Sequence, residues 1–291
     1  MPLIREFKSI PTVTFKKPLR AIFSGSSESG KTYLIGQILK NQRQIFGEDF
    51  ASVKYFFPEF LDEAPVNFHE EVDISYQQGP PTKEDILSIP KNSLVILDDM
   101  ADFAVKSALI SQIFKVISGK NNLSIILVTQ NYFIQGKFSR EIRNSCNYVA
   151  LFRNCADASL NKRVATAFGL KDAYLAAEKD VYQTQVYPYF FIDQTQRAQL
   201  SNYRLYTQIL GQFKIAYSTE GMRGYILSEK DLLSAFRIVE EKKLSVLVVN
   251  KNENQKRPLS EPATGSKDKR KKKRHRVETN EKTDFNYQQF E

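Results

Sequence analysis

Leu19-Arg20-Ala21-Ile22-Phe23-Ser24 runs directly into Gly25-Ser26-Ser27-Glu28-Ser29-Gly30-Lys31-Thr32, and Tyr33 to Lys40 follow as a helix-forming stretch. The octapeptide fits G-x-x-x-x-G-K-[ST], a phosphate-binding loop set between a strand and a helix. Gly25 and Gly30 let the backbone curl until Ser26, Ser27, Glu28 and Ser29 present their N–H groups to one anion. The helix N-terminus adds its partial positive charge. Lys31 is placed to reach the β- and γ-phosphates, and the Thr32 hydroxyl to take a position on Mg²⁺. Glu28 introduces a negative charge into this loop. Pointed outward it is harmless, and pointed at phosphate it weakens ATP binding.

A second segment fits the first. Asn92-Ser93-Leu94-Val95-Ile96-Leu97-Asp98-Asp99 is an apolar run ending in two acids. It reads as a buried parallel strand that delivers carboxylates at its C-terminal edge. Asp98 is then the acid that holds Mg²⁺ through water, and Asp99 the general base for the attacking water. Taken alone, the pattern also describes a strand that simply ends at the surface. Leu123-Ser124-Ile125-Ile126-Leu127-Val128-Thr129-Gln130-Asn131 is a third buried strand ending in a polar amide. Gln130 is expected to touch both the γ-phosphate and the lytic water. A strand with such a sensor, inserted between the loop strand and the acidic strand, marks the additional-strand branch of P-loop ATPases.

Further strands are expected over Ala51–Phe57, ended by Pro58, and over Tyr148–Phe152. The fold class is therefore α/β: a P-loop NTPase with a mostly parallel sheet of order 5-1-4-3-2, flanked by helices. Thr82-Lys83-Glu84-Asp85 begins a short helix with a polar cap and an acidic first turn. Pro58 to Pro81 reads as loop and short helix, and Ala104 to Ser118 as a helix. Gly136 to Asn144 is a polar stretch carrying Lys137, Arg140 and Arg143. Ser159–Phe168 and Lys171–Lys179 read as helices, and Tyr187–Gln194 with Tyr203–Ile209 as an added antiparallel strand pair. The tyrosines and phenylalanines there read as core rather than as base-stacking platforms. Ser228–Lys243 is expected to be an amphipathic helix, with Leu232, Leu233, Phe236 and Val239 on one face. The domain organisation follows: a P-loop ATPase domain over 1–210, a helical and strand extension over 211–250, and a basic, disordered tail over 251–291.

Composition sets the bounds. The chain has 291 residues, 42% of them hydrophobic, and a net charge of +9. From Lys251 onward there are twelve Lys/Arg against seven Asp/Glu, so the tail carries more of the charge than the much longer body. Two cysteines and two histidines, widely spaced, form no metal-ligand cluster. His69 reads as solvent-exposed. Sparse cysteine suits a reducing compartment. With no apolar leader segment and no apolar run near eighteen residues, neither secretion nor membrane spanning is expected.

The series G-S-S-E-S-G-K-T, L-V-I-L-D-D-M, S-I-I-L-V-T-Q-N-Y-F and K-F-S-R-E-I-R-N-S-C-N-Y-V-A-L-F-R-N resembles the genome-packaging ATPases of Maverick/Polinton-type elements and adintoviruses. These belong to the poxvirus-type branch of the FtsK–HerA superfamily. The likeness covers about residues 15–210, and Ile125–Asn154 is its most specific stretch. It implies a homo-oligomeric ring motor that uses ATP and Mg²⁺ to pull double-stranded DNA into a capsid, with capsid or portal proteins as partners and no membrane. Lys31 and Thr32 match the loop, Asp98 and Asp99 the acidic pair, and Gln130 the sensor. Arg140 matches the arginine that acts on a neighbour's active site, with Arg143 and Arg153 as the next candidates. Two positions depart from the pattern. Gly119-Lys120-Asn121-Asn122 stands where relatives are often His-rich, and Ala156 stands where a second arginine is common.

Lys267–Arg276 holds eight cations in ten residues. It reads as a nuclear import signal, a DNA-binding arm or a solvated charge run. Nuclear, virion-associated or otherwise cytoplasmic residence follows from that choice. Two alternatives stay open beside the packaging motor: another FtsK–HerA-type DNA pump or helicase, and a nucleotide-gated binding protein that switches without turnover.

Overall fold

The computed structural model describes residues 14–61, 68, 73–195, 202–210, 213–227 and 246–247. The chain divides into two units, Met1–Asn252 and Glu253–Glu291, and the described residues all lie in the first. His69, the helix expected over Ser228–Lys243 and the tail with its basic run lie outside the described residues.

Eleven strands form one sheet: β1 (Arg20–Ser24), β2 (Val53–Phe57), β3 (Ile74–Gln78), β4 (Leu94–Leu97), β5 (Ser124–Thr129), β6 (Tyr148–Phe152), β7 (Tyr189–Asp193), β8 (Tyr203–Gln208), β9 (Phe213–Ser218), β10 (Arg223–Leu227) and β11 (Val246–Leu247). Their order is β11-β10-β9-β8-β7-β6-β1-β5-β4-β2-β3. The block from β6 to β3 is parallel throughout, and β1 lies within it between β6 and β5, pairing Ile22 with Leu127 of β5 and with Val149 of β6. Renumbered as the five strands expected from sequence, β6-β1-β5-β4-β2 is the order 5-1-4-3-2. The fold is that of an additional-strand P-loop NTPase with an antiparallel group added at one edge. β7, β8, β9 and β10 each pair antiparallel with the strand before them in that order, starting from β6, so the expected strand pair continues into β9 and β10.

Period-2 alternation divides the strand side chains between two cores. Ile22, Val95, Leu97, Ile125, Leu127, Val149 and Leu151 face one layer of helices. Phe23, Leu94, Ile96, Ile126, Val128 and Phe152 face the other. All six residues of β5 are buried, which explains why Ile125–Val128 at its middle is a continuous apolar run and not an alternating one. Each fully buried Ile or Leu contributes about 1.5–3 kcal/mol, so a charge placed at Ile126 would unmake the centre of the sheet.

The second core is closed by α1 (Lys31–Lys40), through Leu34, Ile35, Ile38 and Leu39, and by α2 (Gln42–Phe46). α3 (Lys83–Ser88) has the expected polar cap. The Thr82 side chain accepts from Asp85 N, and the Asp85 carboxylate accepts from Thr82 N, a reciprocal box. Over 101–121 the expected single helix is divided. α4 (Ala101–Ala104) stops, Ser107 caps a new start, and α5 (Ala108–Gln112) runs through a π-helical segment (Ile113–Ile117) into α6 (Ser118–Asn121). The polar stretch after β5 contains α7 (Ser139–Ser145). α8 (Leu160–Ala167) and α9 (Lys171–Thr184) pack Leu160, Val164, Ala173 and Ala177 into the first core.

One expectation is corrected at the far edge. Within the segment read as loop and short helix, Ile74–Gln78 is a strand, β3, paired in parallel with β2. The sequence Ile-Ser-Tyr-Gln-Gln has no apolar run because an edge strand buries little; no residue of β3 is fully buried. Asp85 pins it from outside, accepting from Gln77 of β3 at 3.0 Å and from Lys54 of β2 at 3.5 Å. No helix among the described residues is long and apolar enough to cross a membrane.

Candidate active site

The loop Gly25–Gly30 leaves the C-terminal end of β1 and is stitched to both flanking strands. Gly25 N donates to Thr129 O of β5 at 3.1 Å. On the other side, Ser26 N and Ser26 Oγ both donate to the Arg153 carbonyl just after β6, at 3.3 and 3.0 Å. A β-carbon at Gly25 would stand 2.5 Å from Phe152 Cβ and 2.8 Å from Ser29 Oγ, so only glycine lets the chain pass here. Gly30 takes φ 97° and N-caps α1 without any side-chain bond, leaving the first N–H groups of the helix turned toward the loop. Glu28, also left-handed at φ 60°, is exposed, which removes its charge from the loop interior.

Lys31 Nζ donates to the carbonyls of Gly25 at 2.8 Å and Ser26 at 2.6 Å, so the loop closes on its own lysine. Burial lowers the Lys31 pKa, and the nearby Asp98 and Asp99 carboxylates oppose that shift. The lysine therefore stands between the loop and the acidic pair. Asp98, half-buried at the end of β4, accepts a short hydrogen bond on Oδ2 from the Tyr55 hydroxyl of β2. Burial raises the Asp98 pKa, while the Tyr55 bond and Lys31 pull it back down. Asp99 is exposed and holds φ 51°, a left-handed conformation that a non-glycine residue adopts at a cost. Its charge is felt by both Lys31 and Asp98, so the second carboxylate belongs to the same site.

Gln130 is exposed directly after Thr129, the residue whose carbonyl holds Gly25, so the sensor strand ends beside the loop. Its own carbonyl receives a long hydrogen bond from Asn154 Nδ2 at 3.5 Å. Loop, acids and amide are thus brought to one edge, as the sequence implied. Arg140 is not. It is exposed on α7, and among the described residues no hydrogen bond or ion pair joins it to the loop, the acids or Gln130. Its neighbour Glu141 anchors the helix by accepting from Ser111 and Lys115, and Arg143 donates to the Ile134 carbonyl. Arg153 lies next to the loop, with its guanidinium 5.8 Å from the Tyr182 ring centroid. Together with Asn154, Ala158, Asn161, Glu178 and Tyr182 it lines a cavity of about 410 Å³.

The residues present suit a magnesium–nucleotide. The glycine cradle at Gly25 is one that a side chain would fill, Ser29 Oγ is buried there with no hydrogen-bond partner among the described residues, and Asp98 supplies a hard oxygen donor. Thr32 and Asp98 are the residues that would hold the ion. No cluster of three or more His, Cys, Asp or Glu occurs among the described residues. Sequence reasoning missed two features. Tyr55 lies 43 positions from Asp98, in a strand where its ring reads only as core. Tyr187, read as core, is exposed and packs against the loop.

No family model matches the chain, and no curated protein matches it. Solved structures do. The genome packaging NTPase B204 of Sulfolobus turreted icosahedral virus 2, in complex with ATP-gammaS, is similar at 16% identity and a TM-score of 0.42, over 60% of this chain and 93% of that one. B204, the DNA-packaging ATPase of Sulfolobus turreted icosahedral virus, is similar at 15% identity and 0.40, over 60% and 91%. The N-terminal domain of zonular occludens toxin from Neisseria meningitidis is similar at 12% and 0.31, over 46% and 76%. At this degree of likeness the site stands on its own geometry.

Proposed function

We propose that this chain is an ATPase that translocates double-stranded DNA for genome packaging of the viral or virus-like kind. The observation that carries the ATPase reading is the convergence at one sheet edge: Gly25 bonded to the Gln130 strand, Ser26 to the Arg153 carbonyl, and Lys31 set between the loop and Asp98/Asp99. The packaging reading is supported by the sequence resemblance, strongest over Ile125–Asn154.

In this reading the Ser26 N–H stays on the Arg153 carbonyl, the loop N–H groups from Ser27 to Thr32 receive the phosphates, and Lys31 exchanges its two loop carbonyls for β- and γ-phosphate oxygens. Bound Mg²⁺ would neutralise charge on those oxygens. Thr32 and Asp98 would hold it, with Tyr55 fixing the orientation of Asp98. Asp99 takes a proton from the attacking water, and Gln130 orients that water. Arg140, exposed and unpaired among the described residues, serves the neighbouring subunit of a homo-oligomeric ring, where it offsets charge on the transferred phosphoryl group. Duplex DNA and capsid or portal proteins are the partners. The basic run Lys267–Arg276 directs the protein to the host nucleus, contacts DNA, or both.

The test is steady-state phosphate release with and without duplex DNA. Turnover that rises with DNA and disappears in Lys31→Ala supports the reading. Tight ATP binding without turnover would make the protein a nucleotide-gated switch instead.

A further inference from the structure

Tyr33 is the residue after Thr32, in the first turn of α1, and Tyr187 lies between α9 and β7. Their rings meet with centroids 5.1 Å apart and planes inclined by 39°. Both are exposed, Tyr33 by 56% and Tyr187 by 42%. Among the described residues no other ring pair has both members exposed. The aromatic residues that follow Tyr187 behave differently: Tyr189, Phe190 and Phe191 are buried in the sheet.

Tyr187 is also seated on the phosphate-binding loop. A β-carbon at Gly30 would fall 2.6, 2.7 and 2.8 Å from Cβ, Cγ and Cδ1 of Tyr187. The left-handed glycine that turns the loop into α1 thus also makes room for this ring. Tyr33 follows the loop directly in the first turn of α1 and Tyr187 touches Gly30, so the aromatic pair borders the place where the loop N–H groups would hold a triphosphate, with both rings exposed to solvent. Every base has a π-face, so an aromatic platform can hold one without any hydrogen-bond readout. Leaving two tyrosine rings exposed forgoes apolar burial, and a stacked base restores it.

We propose that Tyr33 and Tyr187 form the subsite for the base of the nucleotide whose phosphates the loop binds. The inference rests on the nucleotide-binding reading above, and a ligand without a base separates the two. Inorganic tripolyphosphate engages the loop alone, whereas ATP engages the loop and the platform.

The experiment uses the full chain. Tyr187→Ala and, separately, Tyr33→Ala should each weaken ATP binding by about tenfold, the usual scale for loss of one stacked base. Tripolyphosphate affinity should stay within about twofold. The chain has no tryptophan, so Tyr187→Trp installs a single indole at the platform. Its fluorescence should be quenched by ATP and left unchanged by saturating tripolyphosphate. Equal losses of ATP and tripolyphosphate in both alanine variants would overturn the proposal, because the rings then only buttress Gly30. So would unchanged ATP affinity in both, or an indole signal that responds alike to the two ligands. ATP binding to the unaltered protein, measured first, tests the nucleotide reading by itself; if ATP does not bind, that reading falls and the platform with it.

Discussion

The Tyr55 hydroxyl donates to Oδ2 of Asp98, joining β2 to the end of β4 across 43 residues of sequence. Burial and the Asp98 charge both raise the Tyr55 pKa far above its ordinary value, so at neutral pH the Tyr55 hydroxyl keeps its proton and is the donor. Asp98 is therefore held in one orientation by a side chain from the neighbouring strand. Partners of this kind, placed behind a metal-holding carboxylate, tend to matter nearly as much as the carboxylate.

Replacing Tyr55 by Phe keeps the ring in the core and removes only the bond. The Mg²⁺ concentration that half-saturates nucleotide-dependent activity should rise by about tenfold or more. Metal-free ATP binding should change little. Titration of Mg²⁺ at fixed ATP measures both. An unaltered Mg²⁺ requirement would mean that Asp98 is oriented by its backbone alone.

Lys31→Ala should abolish nucleotide binding, since it removes the cation opposite the β- and γ-phosphates. Asp99→Asn should bind ATP normally and lose turnover by about 10²–10⁴, the range for loss of a general base. Isothermal titration and phosphate release separate the two effects. Hydrolysis by Asp99→Asn close to the parental rate would place the base elsewhere and leave the left-handed turn at Asp99 without a catalytic purpose.

Arg140→Ala should cost about 10³–10⁵ in kcat, as expected for an arginine finger. The defect should be partly repaired in mixed rings with Lys31→Ala, because some interfaces then join an intact loop to an intact arginine. Mixing ratios scored by phosphate release provide the measurement. If co-assembled rings recover nothing at any ratio, Arg140 does not act across the interface, and Arg153, beside the loop, becomes the next residue to replace.

Asp85 governs an acid limb of stability. Its bonds from Thr82, with those from Gln77 and Lys54, bring its pKa down to about 2. In the unfolded chain an Asp titrates near about 3.9. The folded form therefore binds fewer protons between these values, and unfolding takes one up. The contribution is complete above about pH 4 and fades as pH falls toward about 2. The difference in urea midpoint between parent and Asp85→Asn should narrow over that window. A difference that stays constant from pH 5 to pH 2 would show that the carboxylate charge is not what the cap uses.

Deleting the chain after Gln255 should leave nucleotide binding intact while flattening the salt dependence of DNA binding. The log–log slope should fall by about 0.9 for each phosphate that the tail no longer neutralises. An unchanged slope would reduce the eight cations of Lys267–Arg276 to a solvated charge run.

The centre of the fold was legible because its strands are buried on both faces. A continuous apolar run such as Ile125–Val128 signals a strand without help from its neighbours, and Gly25–Thr32 fixed where the strand before it must end. The order of β6, β1, β5, β4 and β2 followed from the Gln130 strand lying between loop and acids. Edge structure was less legible. β3 buries too little to leave a pattern, and its anchor, Asp85, is recognisable only once Gln77 and Lys54 are brought beside it. Among the candidate site residues, Lys31, Asp98 and Gln130 were singled out by their local strings. Tyr55 and Tyr187 were not, because their roles come from neighbours brought together across the fold, and a tyrosine in an aromatic run reads as core. Arg140 was matched by likeness alone, and among the described residues nothing within one subunit engages it.

Strand displacement from a triplex-bearing duplex tests the central claim most directly, since it reports movement along DNA and not hydrolysis alone. With ATP and Mg²⁺ the full chain should displace the third strand, and neither a nonhydrolysable ATP analogue nor the Lys31→Ala protein should do so. ATP hydrolysis that proceeds on the same duplex while the third strand stays bound would contradict the account: the site would then be an ATPase that does not move DNA.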